Sequence, residues 1–120
     1  MRPSLLALLV ILAAPAAAQT APQLMEVEDE SMIVDPFGID VDGFEDTDIV
    51  DASGDVIGEV DEVLMDAEGR IVAVSAEVGG FLGVGDKEVV IDLRMLVADG
   101  DRLRIDMTED QVEALPAWED

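Results

Sequence analysis

The sequence predicts a mainly β fold: a small antiparallel β-barrel with a short C-terminal helix. Three observations carry that prediction. Residues 70–78 alternate, with Val72, Val74, Ala76 and Val78 on one face and Ile71, Ala73, Ser75 and Glu77 on the other. Acidic-glycine turns recur between short apolar segments, at 51–55, 66–69 and 99–101. The apolar residues are mainly Val, Ile, Leu, Met and Ala, with Phe37, Phe44, Phe81 and Trp118 as the only aromatics, a composition that favours strands.

Taken in chain order, residues 1–18 are expected to be a signal peptide rather than part of the fold. Arg2 gives a positive start, residues 5–14 form an apolar run, and Ala16-Ala17-Ala18 is a small-residue cleavage signal before Gln19. The run is shorter than the roughly 20 residues that a bilayer span needs. Cleavage after Ala18 takes 18 residues from 120 and leaves 102, enough for one small domain. A periplasmic or secreted location follows from this reading. The chain has no cysteine, so no disulfide supports it there and stability rests on packing.

Residues 19–45 are expected to be an acidic, largely disordered tail, because no helical or alternating pattern is sustained in them. Met25, Met32, Ile33, Val34 and Phe37 are apolar enough for part of it to dock. The domain proper is expected over 46–120. Ile49-Val50 begins it, and residues 56–65 read as a strand with Gly58 at a bulge or close contact. Residues 87–93 form a further strand, and Asp99-Gly100-Asp101 marks a hairpin. Leu103, Ile105 and Met107 then alternate with Arg102, Arg104 and Asp106. Thr108-Glu109-Asp110-Gln111 is a capping box opening a helix that Pro116 ends, with Trp118 folding back onto the barrel.

Charge narrows the function. The chain carries 29 acidic residues against 6 basic ones, a net of −23 that becomes −24 once Arg2 is removed. Such a field repels nucleic acid and anionic lipid, so neither is expected as a partner. Its simplest effect is solubility.

Chemistry is limited in the same way. The chain has no histidine, cysteine or tyrosine, which removes the usual base, thiol nucleophile and transition-metal ligands. Nothing in the sequence places Ser53, Ser75 and Lys87 together. The glycine run Gly80-Phe81-Leu82-Gly83-Val84-Gly85 has the end spacing of a phosphate loop, but Asp86 precedes Lys87 and Glu88 replaces the hydroxyl residue. A carboxylate would then face the phosphates. The aspartates at 40–42, 51–55 and 99–101 do not complete a calcium-loop pattern, and aspartate beside glycine is ordinary turn chemistry. No catalytic residue, cofactor or metal ligand is assigned, and no enzyme activity is expected.

The succession Asp51-Ala52-Ser53-Gly54, Ile57-Gly58-Glu59-Val60, Asp66-Ala67-Glu68-Gly69-Arg70-Ile71 and Glu77-Val78-Gly79-Gly80-Phe81-Leu82-Gly83-Val84-Gly85-Asp86-Lys87-Glu88-Val89 resembles the PRC-barrel family over roughly residues 46–107. The resemblance implies a small, mainly antiparallel barrel like that of the photosynthetic reaction-centre H subunit and of the C-terminal domain of a ribosome-maturation factor. It also implies a protein-docking role without catalytic residues. Val50 stands where an aromatic is common in the family, and Asp92 where proline often follows the fourth strand. The expected function is therefore an exported, non-catalytic interaction module of the bacterial periplasm that docks a protein partner at a barrel edge or at Phe81 and Leu82. The alternative is an acidic envelope protein that weakly binds divalent cations or cationic ligands.

Overall fold

The longest strand, β5 (Val56–Met65), organises the sheet. The computed structural model describes residues 23–79 and 87–119. Ahead of β5 lie β1 (Met25–Glu26), β2 (Ile33–Val34), β3 (Ile39–Asp40), helix α1 (Val41–Phe44) and β4 (Asp48–Val50). After it come β6 (Ile71–Val78), β7 (Lys87–Asp92), a 3-10 turn (Leu93–Met95), β8 (Leu96–Asp99), β9 (Arg102–Ile105) and α2 (Glu109–Glu113). The strand order is β7-β6-β5-β4-β9-β8, with β1 added to the far end of β5. The mainly β architecture and the short C-terminal helix are as expected. Two details differ: β4 and β9 run parallel, and among the described residues no ladder closes the sheet between β7 and β8. The β8–β9 hairpin fixes the direction of β9 relative to β8, so β9 meets β4 with its chain direction already set.

Alternation explains β6 only in part. Val74, Ala76 and Val78 face the core, yet Ala73 and Ser75 on the other face are buried too, as in a strand covered on both sides. β5 shows why period two fails there. Val60 and Val63 are both fully buried although three residues apart, because register shifts between Val60 and Glu62 insert an extra residue, Asp61. With Ile49, Val89, Ile91, Leu103, Ile105 and Val112 these side chains form one core cluster.

Gly58 is required where β5 crosses β6. A Cβ there would lie 2.5 Å from the Glu77 carbonyl oxygen and 2.8 Å from Val78 Cγ1. Gly58→Ala is therefore expected to cost about 1–3 kcal/mol in thermal or urea unfolding. Gly54→Ala, in an open turn with φ at +89°, costs only the left-handed penalty, about 1 kcal/mol. Equal costs would show that the approach of β5 to β6 is not tight.

The expectation of a largely disordered tail over 19–45 is corrected by the described part of that segment. Val27, Val34, Val41 and Phe44 are buried at 2% exposure or less. The Asp40 side chain accepts from the Gly43 amide and caps α1, and Phe37 packs on Phe44 at a centroid distance of 5.2 Å. Two-residue strands and a single helical turn are too short to leave a periodicity.

Candidate functional site

The two outer edges of the sheet are treated differently. At β7 the C-terminal segment pairs with the edge: the Val90 amide donates to the Pro116 carbonyl at 2.8 Å, and the Trp118 amide to the Glu88 carbonyl at 2.9 Å. Val89 and Ala117 form an antiparallel bridge between them. The Trp118 indole then donates from Nε1 to Glu62 Oε1 at 3.1 Å, so the tryptophan does fold back, onto β5. The expected capping box sets the start of α2: Thr108 Oγ1 accepts from the Gln111 amide and Gln111 Oε1 from the Thr108 amide.

At the other end, β8 is the last strand of the sheet, and among the described residues no strand pairs with its outer edge. Beside it runs a groove of about 740 Å³ lined by Phe37, Ile71, Val72, Leu93, Leu96 and Val97. Val97 is 47% exposed. The charged residues of the groove are Asp35, Asp92 and Arg94. Asp92 holds Arg94 through Nε at 3.1 Å and Nη2 at 3.0 Å, and that hydrogen-bonded guanidinium keeps the Asp92 carboxyl below its ordinary value. Arg94 is thus balanced by Asp92, and Asp35 sets the local sign.

A second grouping lies across β5, β6 and β7. Glu59, Glu77 and Glu88 are direct cross-strand neighbours in one row, an arrangement that like charges oppose. The bulge residue Asp61 joins them, and carboxylate oxygens of Asp61, Glu77 and Glu88 all lie within 4.8 Å of one another. Burial, first, and then a hydrogen bond with Asp61 and the charges of Asp61 and Glu62 push the Glu88 carboxyl up to about 7, while a hydrogen bond from Ser75 acts the other way. Glu88 Oε2 is buried without a hydrogen-bond partner. One proton shared in this group relieves the repulsion.

The residues singled out from sequence fare differently. Phe81 and Leu82 lie outside the described residues. Of the aspartates weighed for calcium, Asp51 accepts from the Ser53 and Asp55 amides in a turn, Asp40 accepts from a backbone amide as the cap of α1, and Asp99 takes a strand register position opposite Arg102. Ser75 is fully buried and accepts from the Glu62 amide, three register positions along from Lys87, while Ser53 sits in the exposed 51–55 turn. The acidic row was missed because its alignment depends on strand register and on one bulge, neither of which local sequence reveals.

No helix among the described residues is long and apolar enough to cross a membrane. No curated protein matches the chain closely. The family model of the PRC-barrel domain, however, matches residues 39–112. That span starts at β3 and ends inside α2, taking in both sheet edges and the acidic row. With the model covering more than half of the sequence and the strands following one another as the motifs required, the chain belongs to the PRC-barrel domain family.

Proposed function

We propose that this PRC-barrel protein is an exported, non-catalytic docking module of the bacterial periplasm, and that it receives a basic, extended segment of a protein partner along β8. The observation that carries the reading is the contrast between the edges: β7 is covered by the chain's own C-terminus, whereas β8 ends the sheet beside an apolar groove. A free strand edge offers unpaired backbone groups, and an extended peptide can add to it while its side chains enter the groove. The excess of 29 acidic over 6 basic residues selects a basic partner and opposes pairing with a second copy. Residues 1–18 support export through their positive, apolar and small-residue regions. The absence of histidine, cysteine and tyrosine supports a binding role over catalysis.

A synthetic peptide of alternating lysine and valine tests this by NMR titration. Amide shifts are expected to concentrate at 96–99 and in the groove residues Ile71, Val72 and Leu93. Val97→Asp is expected to weaken the peptide by about tenfold, a loss of about 1.4 kcal/mol, while Val56→Asp, another exposed apolar site, leaves it nearly unchanged. Shifts spread evenly over the acidic surface, or equal losses in both variants, would reduce the interaction to unspecific charge attraction.

A further inference from the structure

The C-terminal cover on β7 rests directly on the acidic row. Its amide and carbonyl links run through Glu88 and Val90, and its indole is anchored on Glu62. Facing Glu88 are Asp61 and Glu62 from β5 and Ser75 and Glu77 from β6. Glu113 of α2 and Glu119 of the C-terminal segment line the adjoining depression of about 270 Å³, where Lys87 is the one cation among the described residues. We propose that residues 115–119 form a proton-held strap. It is seated on β7 while the Glu88 carboxyl carries a proton, and it is released, uncovering the β7 edge, when that proton leaves.

The geometry gives each part of this device. With a proton present, Glu88 meets Asp61 as a neutral group and a hydrogen-bond donor, and the repulsion between the two is removed. Without it, the carboxylates of Asp61, Glu77 and Glu88 repel one another at separations within 4.8 Å, partly shielded from water. The repulsion acts at the residue whose carbonyl receives the Trp118 amide, and Glu62, which receives the indole, adds a further charge facing Glu88.

The strap is the part able to yield. α2 is fixed by Val112, which is fully buried, and by its capping box. β7 is held to β6 through six register pairs. The strap has a few backbone links, and Pro116 has no amide to donate. Leu115 and Trp118 are only half-buried and Pro116, Ala117 and Glu119 are exposed, and segments of this kind open at the low-stability end of a protein's motions. Since the Glu88 carboxyl titrates at about 7, release falls close to neutral pH. The uncovered β7 edge then becomes a second strand edge able to accept a partner segment. This device does not depend on the docking surface at β8.

Trp118 is the only tryptophan, so it reports on the strap directly. Acrylamide quenching reads access to the indole rather than the charge beside it. In the full chain the quenching constant is expected to rise about twofold between about pH 5.5 and about pH 8.5, with a midpoint near 7 and an unchanged far-ultraviolet circular dichroism spectrum. Glu88→Gln is expected to keep quenching low and flat throughout, and Asp61→Asn to move the midpoint to lower pH. The proposal is overturned by flat quenching in the unmodified protein, by an unshifted rise in Glu88→Gln, or by loss of the dichroism signal along with the rise. If Glu88→Gln does not fold, Asp61→Asn decides, and a midpoint left in place there overturns it equally.

Discussion

Phe44→Ala is expected to cost about 3–5 kcal/mol, the loss seen when a buried phenylalanine is cut back in a packed core. Phe44 is 1% exposed, the largest fully buried side chain among the described residues, and its neighbours Val34 and Val41 have no exposure at all. Its ring also meets Phe37 at 5.2 Å with the planes tilted by 54°, a contact worth about 0.5–1.5 kcal/mol beyond burial. For a domain whose total stability is on the order of 5–15 kcal/mol, such a loss brings unfolding within reach of ordinary conditions. Urea unfolding of Phe44→Ala beside Phe37→Ala checks the claim. Phe37 is only partly buried, so its loss is expected to be smaller. A cost below about 1 kcal/mol for Phe44→Ala would mean that residues 25–45 pack without belonging to the cooperative unit.

That expectation could not have been written from the sequence, and the reason is physical. Segments whose pattern outlasts their ends are legible: residues 56–65 and 71–78 are strands in sequence and in structure, and Thr108 to Gln111 form the capping box that their spacing implies. Met25 to Phe44 instead uses two-residue strands and one helical turn, each held by tertiary contact rather than by its own periodicity. The acidic row depends on a further step. Glu77 and Glu88 are separated by the glycine-rich connection, and only the pairing of β6 with β7 sets them opposite each other. Asp61 is brought to them by a bulge that also resets the core face of β5 from Val60 to Val63. The position of β8 as the last strand among the described residues was equally hidden, because which strand ends a sheet is a property of topology and not of any strand's composition.

Raising the pH from about 4.5 to about 7 is expected to lower the stability of the domain by about 1–2 kcal/mol through Glu88 alone. Its carboxyl titrates at about 7 in the folded protein against an ordinary 4.5. Between those values the folded chain holds a proton that the unfolded chain has lost, so stability falls as pH rises and levels off above 7. The whole displacement corresponds to about 3 kcal/mol, and solvent screening at this partly exposed group reduces it by roughly half. Glu45 acts with the same sign, its carboxyl raised by burial and by the charges of Glu30, Glu26, Asp46 and Asp42. Asp66 and Asp92 act oppositely, because hydrogen bonds lower their carboxyls and their contribution is lost only in acid. Stability is therefore expected to peak near the ordinary carboxylate range and to decline on both sides. Self-repulsion of so acidic a chain also weakens it as carboxylates ionise, and comparison with Glu88→Gln separates the two effects. Urea midpoints across pH 4.5 to 7 should fall less steeply in that variant, and parallel slopes would show that the row of glutamates contributes nothing beyond the general charge.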